Sequence, residues 1–481
     1  MNHPVYEAVI GLEVHAQLST KSKLFCGDSI AFGGQPNVNT SPVSLAHPGT
    51  LPVMNEQVLK LAAMLGLALG CEIVRENYFA RKNYFYPDLP KAYQISQHTA
   101  PICLGGKFTI TNAEGKTTDV LLNRIHMEED AGKSIHDIYD AYSCIDLNRA
   151  GTPLLEIVTE PCIHSAEDAA NYLTELRRLV RWLGVCDGNM EEGSLRCDAN
   201  ISIRKKGDTK LGTRVEIKNL NSIRNLRRAI ETELQRLVAI TEKGEKVFQE
   251  TRGYTADTNT TYSLRSKEDA EDYRYFPEPD LPPFSITDAF IDGVKSEMPE
   301  LPIALQHRYE QEYGLSAYDV SQVTLDREDV DFFEEIRKHF NQPKVIANWM
   351  SGPLRSYANE NHIALKEIPL QPKQLASLME FSHNGKVSFN VAGSRLFQKM
   401  LESPEADVAT VAEKEGVLQL NDENELARWI DEVIAAMPDK VAEYKNGKKG
   451  LIGMFAGEVK KRSKGRADMA AVNKLLAQKL A

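Results

Sequence analysis

Cysteine is scarce in this sequence and follows no recognisable spacing. Seven cysteines occur among 481 residues, an odd number without the intervals of a disulfide framework. We therefore predict reduced thiols, no structural disulfide and a location in the cytoplasm. Small secreted domains that depend on disulfide bonds are excluded.

Long hydrophobic runs and an excess of positive charge are also missing. The longest apolar stretch, residues 58–69, is interrupted by Lys60, so it is too short to span a bilayer and predicts a buried helix. The first four residues lack the basic and apolar regions of an export signal, so none is expected. The formal net charge of -11 excludes a protein that coats nucleic acid with its whole surface, and leaves room only for a local basic patch.

What remains is an ordinary globular composition with 42% hydrophobic and 26% charged residues. A chain of this length should divide into several domains. Prolines at 277–283 mark the end of the first domain, and beyond Pro302 the pattern turns helical. Apolar periodicity predicts helices over 55–69, after Ser165, after Ser222, over 329–340 and 345–359, and along a stripe from 426 to 437.

Residues 8–18 alternate between apolar and polar side chains, which predicts a strand with one buried face. Glu13 and His15 share the polar face and could converge on one ion, although a strand that merely meets water would look the same. The polar alternation returns at 197–204 and 214–218, and Glu156 stands alone among apolar neighbours. We predict one continuous polar sheet face that forms a cradle for a charged ligand and a metal.

Three adjacent acids, Glu128, Glu129 and Asp130, repel each other unless cations neutralise them. Mg²⁺ prefers carboxylate oxygens, so the run predicts a magnesium site, with an acidic surface turn as the alternative. Residues 132–134 imitate the end of a P-loop. Met127 stands where the first glycine of that motif belongs, and we therefore exclude a Walker A site.

Three further segments are rich in basic residues, and two of them also contain aromatic residues. Residues 81–94 contain prolines and predict an irregular loop that contacts an anionic or planar ligand, or one whose aromatics pack inward. Residues 249–283 interleave Arg and Tyr in a loop that could stack on bases or pack on the sheet. The basic run at 460–466 either binds phosphate or is a solvated helix end. Between these segments, residues 108–122 predict a hairpin.

Four long motifs carry a family resemblance: IGLEVH at 10–15, MEEDAGK at 127–133, EEGSLRCDAN at 191–200 and DYRYFPEPD at 272–280. The chain closely resembles, over essentially its whole length, the B-subunit family of bacterial tRNA-dependent amidotransferases. The resemblance implies an α+β fold: a cradle with a largely antiparallel, glutamine-synthetase-like sheet at 1–293, a helical domain at 294–407 and a YqeY-like tail that binds tRNA at 408–481.

The resemblance also implies a ligase that uses ATP and Mg²⁺. It would phosphorylate the side-chain carboxylate of Glu-tRNA(Gln) or Asp-tRNA(Asn), or both, and ammonia would then displace the phosphate. An amidase subunit and a small third subunit are the implied partners, since the Gly/Ser-rich signature of the amidase is missing here. The rival hypothesis is a non-catalytic scaffold that binds tRNA. Many family members carry a zinc knuckle in the early loop; here Cys26 stands with Asp28, Ser41 and Ser44, so no zinc is expected.

By similarity, particular residues receive roles. The catalytic set is Glu13, His15, Lys82, Lys91, Glu128, Glu129, Glu156 and Asp198. The metal ligands expected within it are Glu13, His15, Glu129 and Glu156. Nucleotide contacts are expected from Arg196, Asn200, Glu216 and Lys218. Contacts to tRNA are expected from Arg252, Arg274, Lys460, Lys461, Arg462 and Lys464.

Overall fold

The chain forms two compact units, Met1–Leu301 and Pro302–Ala481. The computed structural model describes residues 3–112, 115–266, 273–419, 423–463 and 467–480, so Lys464 lies outside the described residues. The first boundary falls close to the one expected at 293, whereas the separate tail from 408 stays a prediction. No helix in these described ranges is both long enough and apolar enough to cross a membrane.

The first unit combines many strands with a few helices. Its strands are β1 (Tyr6–Gln17), β2 (Glu72–Ile73), β3 (Glu76–Asn77), β4 (Ala80–Asn83), β5 (Tyr93–Ser96), β6 (Cys103–Leu104), β7 (Lys107–Thr111), β8 (Thr117–Glu129), β9 (Lys133–Tyr139), β10 (Tyr142–Asp146), β11 (Pro153–Thr159), β12 (Leu195–Lys205), β13 (Val215–Leu220), β14 (Glu250–Thr255), β15 (Thr260–Ser266), β16 (Phe276–Pro277) and β17 (Phe284–Ser285). Its helices are α1 (Glu56–Ala68), α2 (Ala166–Trp182), α3 (Ile223–Glu242) and α4 (Asp288–Glu297).

One large sheet runs in the order β15-β14-β13-β12-β1-β11-β8-β6-β2, with β7 paired to β8. Its neighbouring strands are antiparallel except β13 and β14. The predicted α+β class with a largely antiparallel sheet is therefore confirmed. The expected hairpin is present as β7 and the start of β8.

The core lies on one face of this sheet. On β1 the side chains of Ile10, Leu12 and Val14 are fully buried, and they share a hydrophobic cluster with apolar residues of α1, α2 and α3. Ser165 and Ser222 cap α2 and α3 by accepting a hydrogen bond from a backbone N–H three residues on. Because side chains alternate along a strand, the opposite face of the sheet carries the polar residues.

Two predicted loops contain strands. Within 81–94, β4 pairs with β5 and with the distant β16, and only 84–92 is irregular. Within 249–283, β14 and β15 form an antiparallel pair at the edge of the large sheet. The expectation of irregular structure was wrong in both places, because the pairing partners of these strands supply backbone hydrogen bonds that local composition does not reveal.

The early loop, residues 27–52, is irregular, as its richness in Gly, Pro, Asn and Ser predicts. The positions Cys26, Asp28, Ser41 and Ser44 lie together. The Sγ of Cys26 is 3.4 Å from the Oγ of Ser44, Ser44 donates to the carboxylate of Asp28, and the N–H of Ser41 donates to the same carboxylate at 2.9 Å. Hydrogen bonds thus tie the start of this loop to residues 41–44.

Gly212, just before β13, leaves no room for a side chain. A Cβ there would lie 2.2 Å from the backbone oxygen of Ile203. We expect Gly212→Ala to lower the free energy of unfolding by about 1–3 kcal/mol, the usual cost of overpacking, as measured by urea denaturation. Gly293→Ala in α4 is the control, because a Cβ there meets nothing within 4 Å. An equal loss in both variants would contradict the steric explanation.

The second unit is helical. Its helices are α5 (Pro302–Tyr313), α6 (Ala317–Val323), α7 (Arg327–His339), α8 (Pro343–Trp349), α9 (Arg355–Asn361), α10 (Pro372–His383), α11 (Phe389–Val391), α12 (Phe397–Glu402), α13 (Val408–Lys414), α14 (Glu423–Ala436), α15 (Pro438–Lys445), α16 (Ile452–Arg462) and α17 (Met469–Leu480). The helix expected over 345–359 is interrupted by a π-helical stretch at Met350–Leu354, which contains Gly352 and Pro353. The predicted stripe of α14 packs into a separate core with Phe455, Val459 and Leu476.

Candidate active site

A groove of about 500 Å³ lies over the polar face of the large sheet. Charged side chains that line it include His15, Lys82, Glu128, Arg196, Asp198 and Lys218, together with Asp130 directly after β8. They come from β1, β4, β8, β12 and β13, which are widely separated in sequence. The strands therefore do present their polar side chains to a single hollow, as the alternating pattern predicts.

Strand register decides which of these side chains meet. His15 of β1 lies opposite Glu156 of β11 and Arg196 of β12, and Glu156 lies opposite His126 of β8. Residues directly opposite each other in an antiparallel pair point to the same face. One row across four strands consequently carries two imidazoles, a carboxylate and a guanidinium.

The geometry of His15, Glu128 and Glu156 suits a metal ion. One ligand atom from each lies within 4.8 Å of the others. The Nε2 of His15 is 3.7 Å from an oxygen of Glu156 and 3.9 Å from an oxygen of Glu128. Two carboxylates and an imidazole form a donor set that can hold a divalent cation such as Mg²⁺.

His126 is a buried neighbour of this cluster that the sequence analysis did not assign. Its Nε2 donates to Glu156 at 3.0 Å and lies 3.5 Å from Glu128. Burial lowers the pKa of His126, but the carboxylates of Glu156 and Glu128 outweigh burial and raise it to about 9. The charged imidazole in turn helps to hold the pKa of Glu156 below its ordinary value, against the effect of burial. The sequence could have indicated this position, since His126 precedes Glu128 by two residues on one strand and so shares its face.

Glu129 and Lys91 do not join the cluster. Glu129 follows Glu128 on β8 and therefore points to the other side of the sheet, where it forms an ion pair with Lys91 and accepts the N–H of Ile95 at 2.9 Å. The structure thus brings Glu128, and not the expected Glu129, beside His15. Lys82 lines the groove, so the two lysines of the expected catalytic set lie in different surroundings.

Asp130, the third of the adjacent acids, is engaged by a different cation. Its carboxylate accepts from Arg196 at 2.8 Å and from Gln17 at 2.8 Å. Burial raises the pKa of Asp130, but Arg196 and Arg149 outweigh burial and keep it below its ordinary value. The repulsion expected among the three acids is relieved because each has its own partners. Gly132 donates its N–H to the carbonyl oxygen of Asp88 at 2.9 Å, which agrees with the exclusion of a P-loop.

A second polar group lies beside the cluster of His15, Glu128 and Glu156 on the same face. Glu13 accepts from Asn200 at 2.7 Å, and the Nζ of Lys218 lies 3.2 Å from Asp198 and 3.3 Å from Glu216. Burial, together with the charges of Glu156 and Glu216, raises the pKa of Glu13. Lys218 retains its proton, since its two carboxylate partners outweigh burial and raise its pKa. Glu13 is therefore a neighbour of the His15 cluster and lies outside the three-residue ligand set.

The residues expected to bind tRNA differ in their exposure. Arg252 is buried and its guanidinium contacts Glu250 at 2.7 Å and Thr261 at 2.8 and 3.1 Å, so this placement argues against a phosphate contact. Arg274 is exposed. Lys460, Lys461 and Arg462 are exposed in the last turn of α16, where positive charge also complements the helix dipole.

Comparison with known proteins places the chain in a family. A family model described as GatB/GatE catalytic domain matches residues 8–292, and one described as GatB domain matches residues 331–480. The B-subunit of the aspartyl/glutamyl-tRNA(Asn/Gln) amidotransferase of Geotalea daltonii is 48% identical over 478 residues, 99% of each chain. Proteins of the same name from Bdellovibrio bacteriovorus and Anaeromyxobacter dehalogenans are 46% identical over 476 residues and 48% over 480, again 99% of each chain. The chain therefore belongs to the B-subunit family of tRNA-dependent amidotransferases.

Proposed function

We propose that this chain phosphorylates the side-chain carboxylate of Glu-tRNA(Gln), Asp-tRNA(Asn) or both, and then directs ammonia onto the activated acyl group. The observation that carries the proposal is the convergence of His15, Glu128 and Glu156 beside the groove-lining cations. Such a site can bring together two anionic reactants that would otherwise repel each other.

The first step transfers a phosphoryl group. An oxygen of the substrate carboxylate attacks the γ-phosphorus of ATP, the bond to the bridging oxygen breaks, and ADP leaves with that electron pair. Lys82, Arg196 and Lys218 supply the positive charge along the groove, which orients the phosphates and the attacking carboxylate.

The second step forms the amide. Ammonia attacks the acyl carbon, the carbon–oxygen bond to phosphate breaks, and one proton is lost from nitrogen. A carboxylate of the groove outside the proposed metal ligands, such as Asp198, is suited to accept that proton. The ammonia would come from a partner amidase subunit, held with this chain by a small third subunit; the relatives are named as B-subunits, which fits such a complex.

The residues present fit a magnesium ion. His15, Glu128 and Glu156 would hold it, and the ion would neutralise phosphate charge during transfer. His126 keeps both carboxylates oriented through its hydrogen bond and its charge. ATP and Mg²⁺ are therefore the ligands we propose for the groove.

Assembly with the two partner subunits provides the test. We expect the complex to convert Glu-tRNA(Gln) or Asp-tRNA(Asn) to the amide with ATP and glutamine, and also with ammonium chloride in place of glutamine. Ammonium removes the need for the amidase. Binding of tRNA without any ATP-dependent amide formation would favour the non-catalytic scaffold instead.

The basic end of α16 should contribute to tRNA binding. We expect Lys460→Ala with Lys461→Ala to weaken tRNA binding about tenfold at low salt and to flatten its salt dependence, because each phosphate contact releases counterions. Filter binding across a salt series measures both quantities. Lys338→Ala with Lys366→Ala removes two exposed lysines of the same unit and is the control; equal effects of the two pairs would assign the loss to net charge alone.

A further inference from the structure

Lys82 differs from the other cations of the groove. Arg196 contacts Asp130 at 2.8 Å, and Lys218 contacts two carboxylates at 3.2 and 3.3 Å. Among the described residues, no carboxylate lies within ion-pair distance of Lys82. Its charge nevertheless acts on the site, since Lys82 is one of the groups that lower the pKa of Glu156 against the effect of burial.

Aromatic rings take the place of a carboxylate at Lys82. Its Nζ lies 4.9 Å from the ring centroid of Tyr273 and 5.8 Å from that of Tyr84. The two rings are 6.2 Å apart and inclined at 72°. A ring within about 6 Å attracts an ammonium group through its electron-rich face without neutralising its charge. The ammonium is thus held in place while its full charge remains available to an incoming anion.

The backbone fixes Tyr273 beside Lys82. The N–H of Asn83 donates to the carbonyl oxygen of Tyr273 at 3.0 Å, and Phe276 pairs with Arg81 across the β4–β16 ladder. Arg81 also donates two hydrogen bonds, of 2.7 and 2.8 Å, to the fully buried carboxylate of Glu278. These contacts lock the segment after residue 272 onto β4, so the position of the Tyr273 ring follows from the register.

We propose that Tyr273 and Tyr84 are positioning residues that hold the Lys82 ammonium over the groove, where it receives the anionic phosphoryl group in transfer. This inference rests on the function proposed above. A carboxylate partner would have drawn Lys82 away from the phosphate and cancelled its charge. The rings avoid both effects, which explains why an uncompensated lysine is tolerated at this position.

Kinetics of the assembled complex with saturating ammonium chloride test the proposal. We expect Tyr273→Leu to lower kcat for ATP-dependent amide formation about five- to tenfold. Tyr273→Phe keeps the ring face and should stay within about twofold of the parent. In a Lys82→Met background, Tyr273→Leu should have no further effect. Equal loss in the Leu and Phe variants would assign the effect to the Tyr273 hydroxyl, and an undiminished Leu effect without Lys82 would assign it to packing. Either result would overturn the proposal.

Chemical labelling separates this inference from the proposed function. Reductive methylation with formaldehyde, followed by mass spectrometry, should modify Lys82 about fivefold more slowly in the parent and in Tyr273→Phe than in Tyr273→Leu, because the ring at position 273 holds the amine and covers one side of it. Equal labelling rates would overturn the proposal even in an active complex. If the parent complex makes no amide, the proposed function fails, and labelling still decides whether the rings hold Lys82.

Discussion

Glu128→Gln should lower the rate of ATP-dependent amide formation about a thousandfold, because a neutral amide replaces one carboxylate of the proposed metal site. The substitution keeps the shape of the side chain but removes the charge that faces His15 and His126. Its effect should fall on turnover, with tRNA affinity nearly unchanged. The assembled complex, ATP, ammonium chloride and aminoacyl-tRNA suffice for the measurement, and magnesium titration should show that more metal is needed for half-maximal activity.

Glu129→Gln is the matched comparison, one residue further along the same strand. It disrupts the ion pair with Lys91 on the other side of the sheet and leaves His15, Glu128 and Glu156 in place. We expect a loss of turnover of less than about tenfold, together with lower stability, since the half-buried Lys91 loses its charged partner. If Glu129→Gln abolished turnover and Glu128→Gln did not, the assignment of the metal cluster would be wrong.

Glu233→Ala should lower the free energy of unfolding of the first unit by about 3–5 kcal/mol, the range found when one partner of a buried ion pair is removed. Glu233 is fully buried. Its carboxylate accepts from Arg236 at 2.6 and 3.0 Å, accepts the hydroxyl of Thr261 at 2.8 Å and lies 3.5 Å from Arg252. Without Glu233, Arg236 and Arg252 share the single carboxylate of Glu250 among their described contacts, which is the reason for the large effect.

Glu231→Ala provides the control on the same helix. Glu231 is exposed and forms an ion pair with Arg227 at 3.1 Å, and such surface pairs contribute at most about 1 kcal/mol. Urea denaturation followed by circular dichroism measures both variants. A Glu233→Ala protein as stable as the Glu231→Ala protein would show that the cations near Glu233 find water or new partners.

The network around Glu233 also shows where sequence reasoning failed. Arg252 lies in a stretch that interleaves Arg and Tyr, so it was expected to contact tRNA. Its partners include residues of α3 and of the neighbouring strand β15. A local sequence pattern does not predict contacts between separate elements of the fold. The prediction of irregular structure over 81–94 was wrong for a similar reason. One partner of β4 in this segment is β16, almost 200 residues further along the chain.

Sequence by itself determined the alternation of β1, and hence that Glu13 and His15 share a polar face. The same rule separates Glu128 from Glu129, since period two is a property of any extended strand; the sequence analysis instead treated the three acids as one group. The family motifs likewise identified the B-subunit family, which the comparisons confirm.

Tertiary structure alone decided which charges meet. Strand register placed Glu156 opposite both His15 and His126 and gave each of the three adjacent acids different partners. It also left Lys82 beside two tyrosine rings instead of beside a carboxylate. These outcomes depend on contacts between residues far apart in the chain, and the free energy of such contacts is set by the packing of the whole sheet. A linear pattern fixes the side of a strand on which a residue lies, but it does not fix what lies opposite.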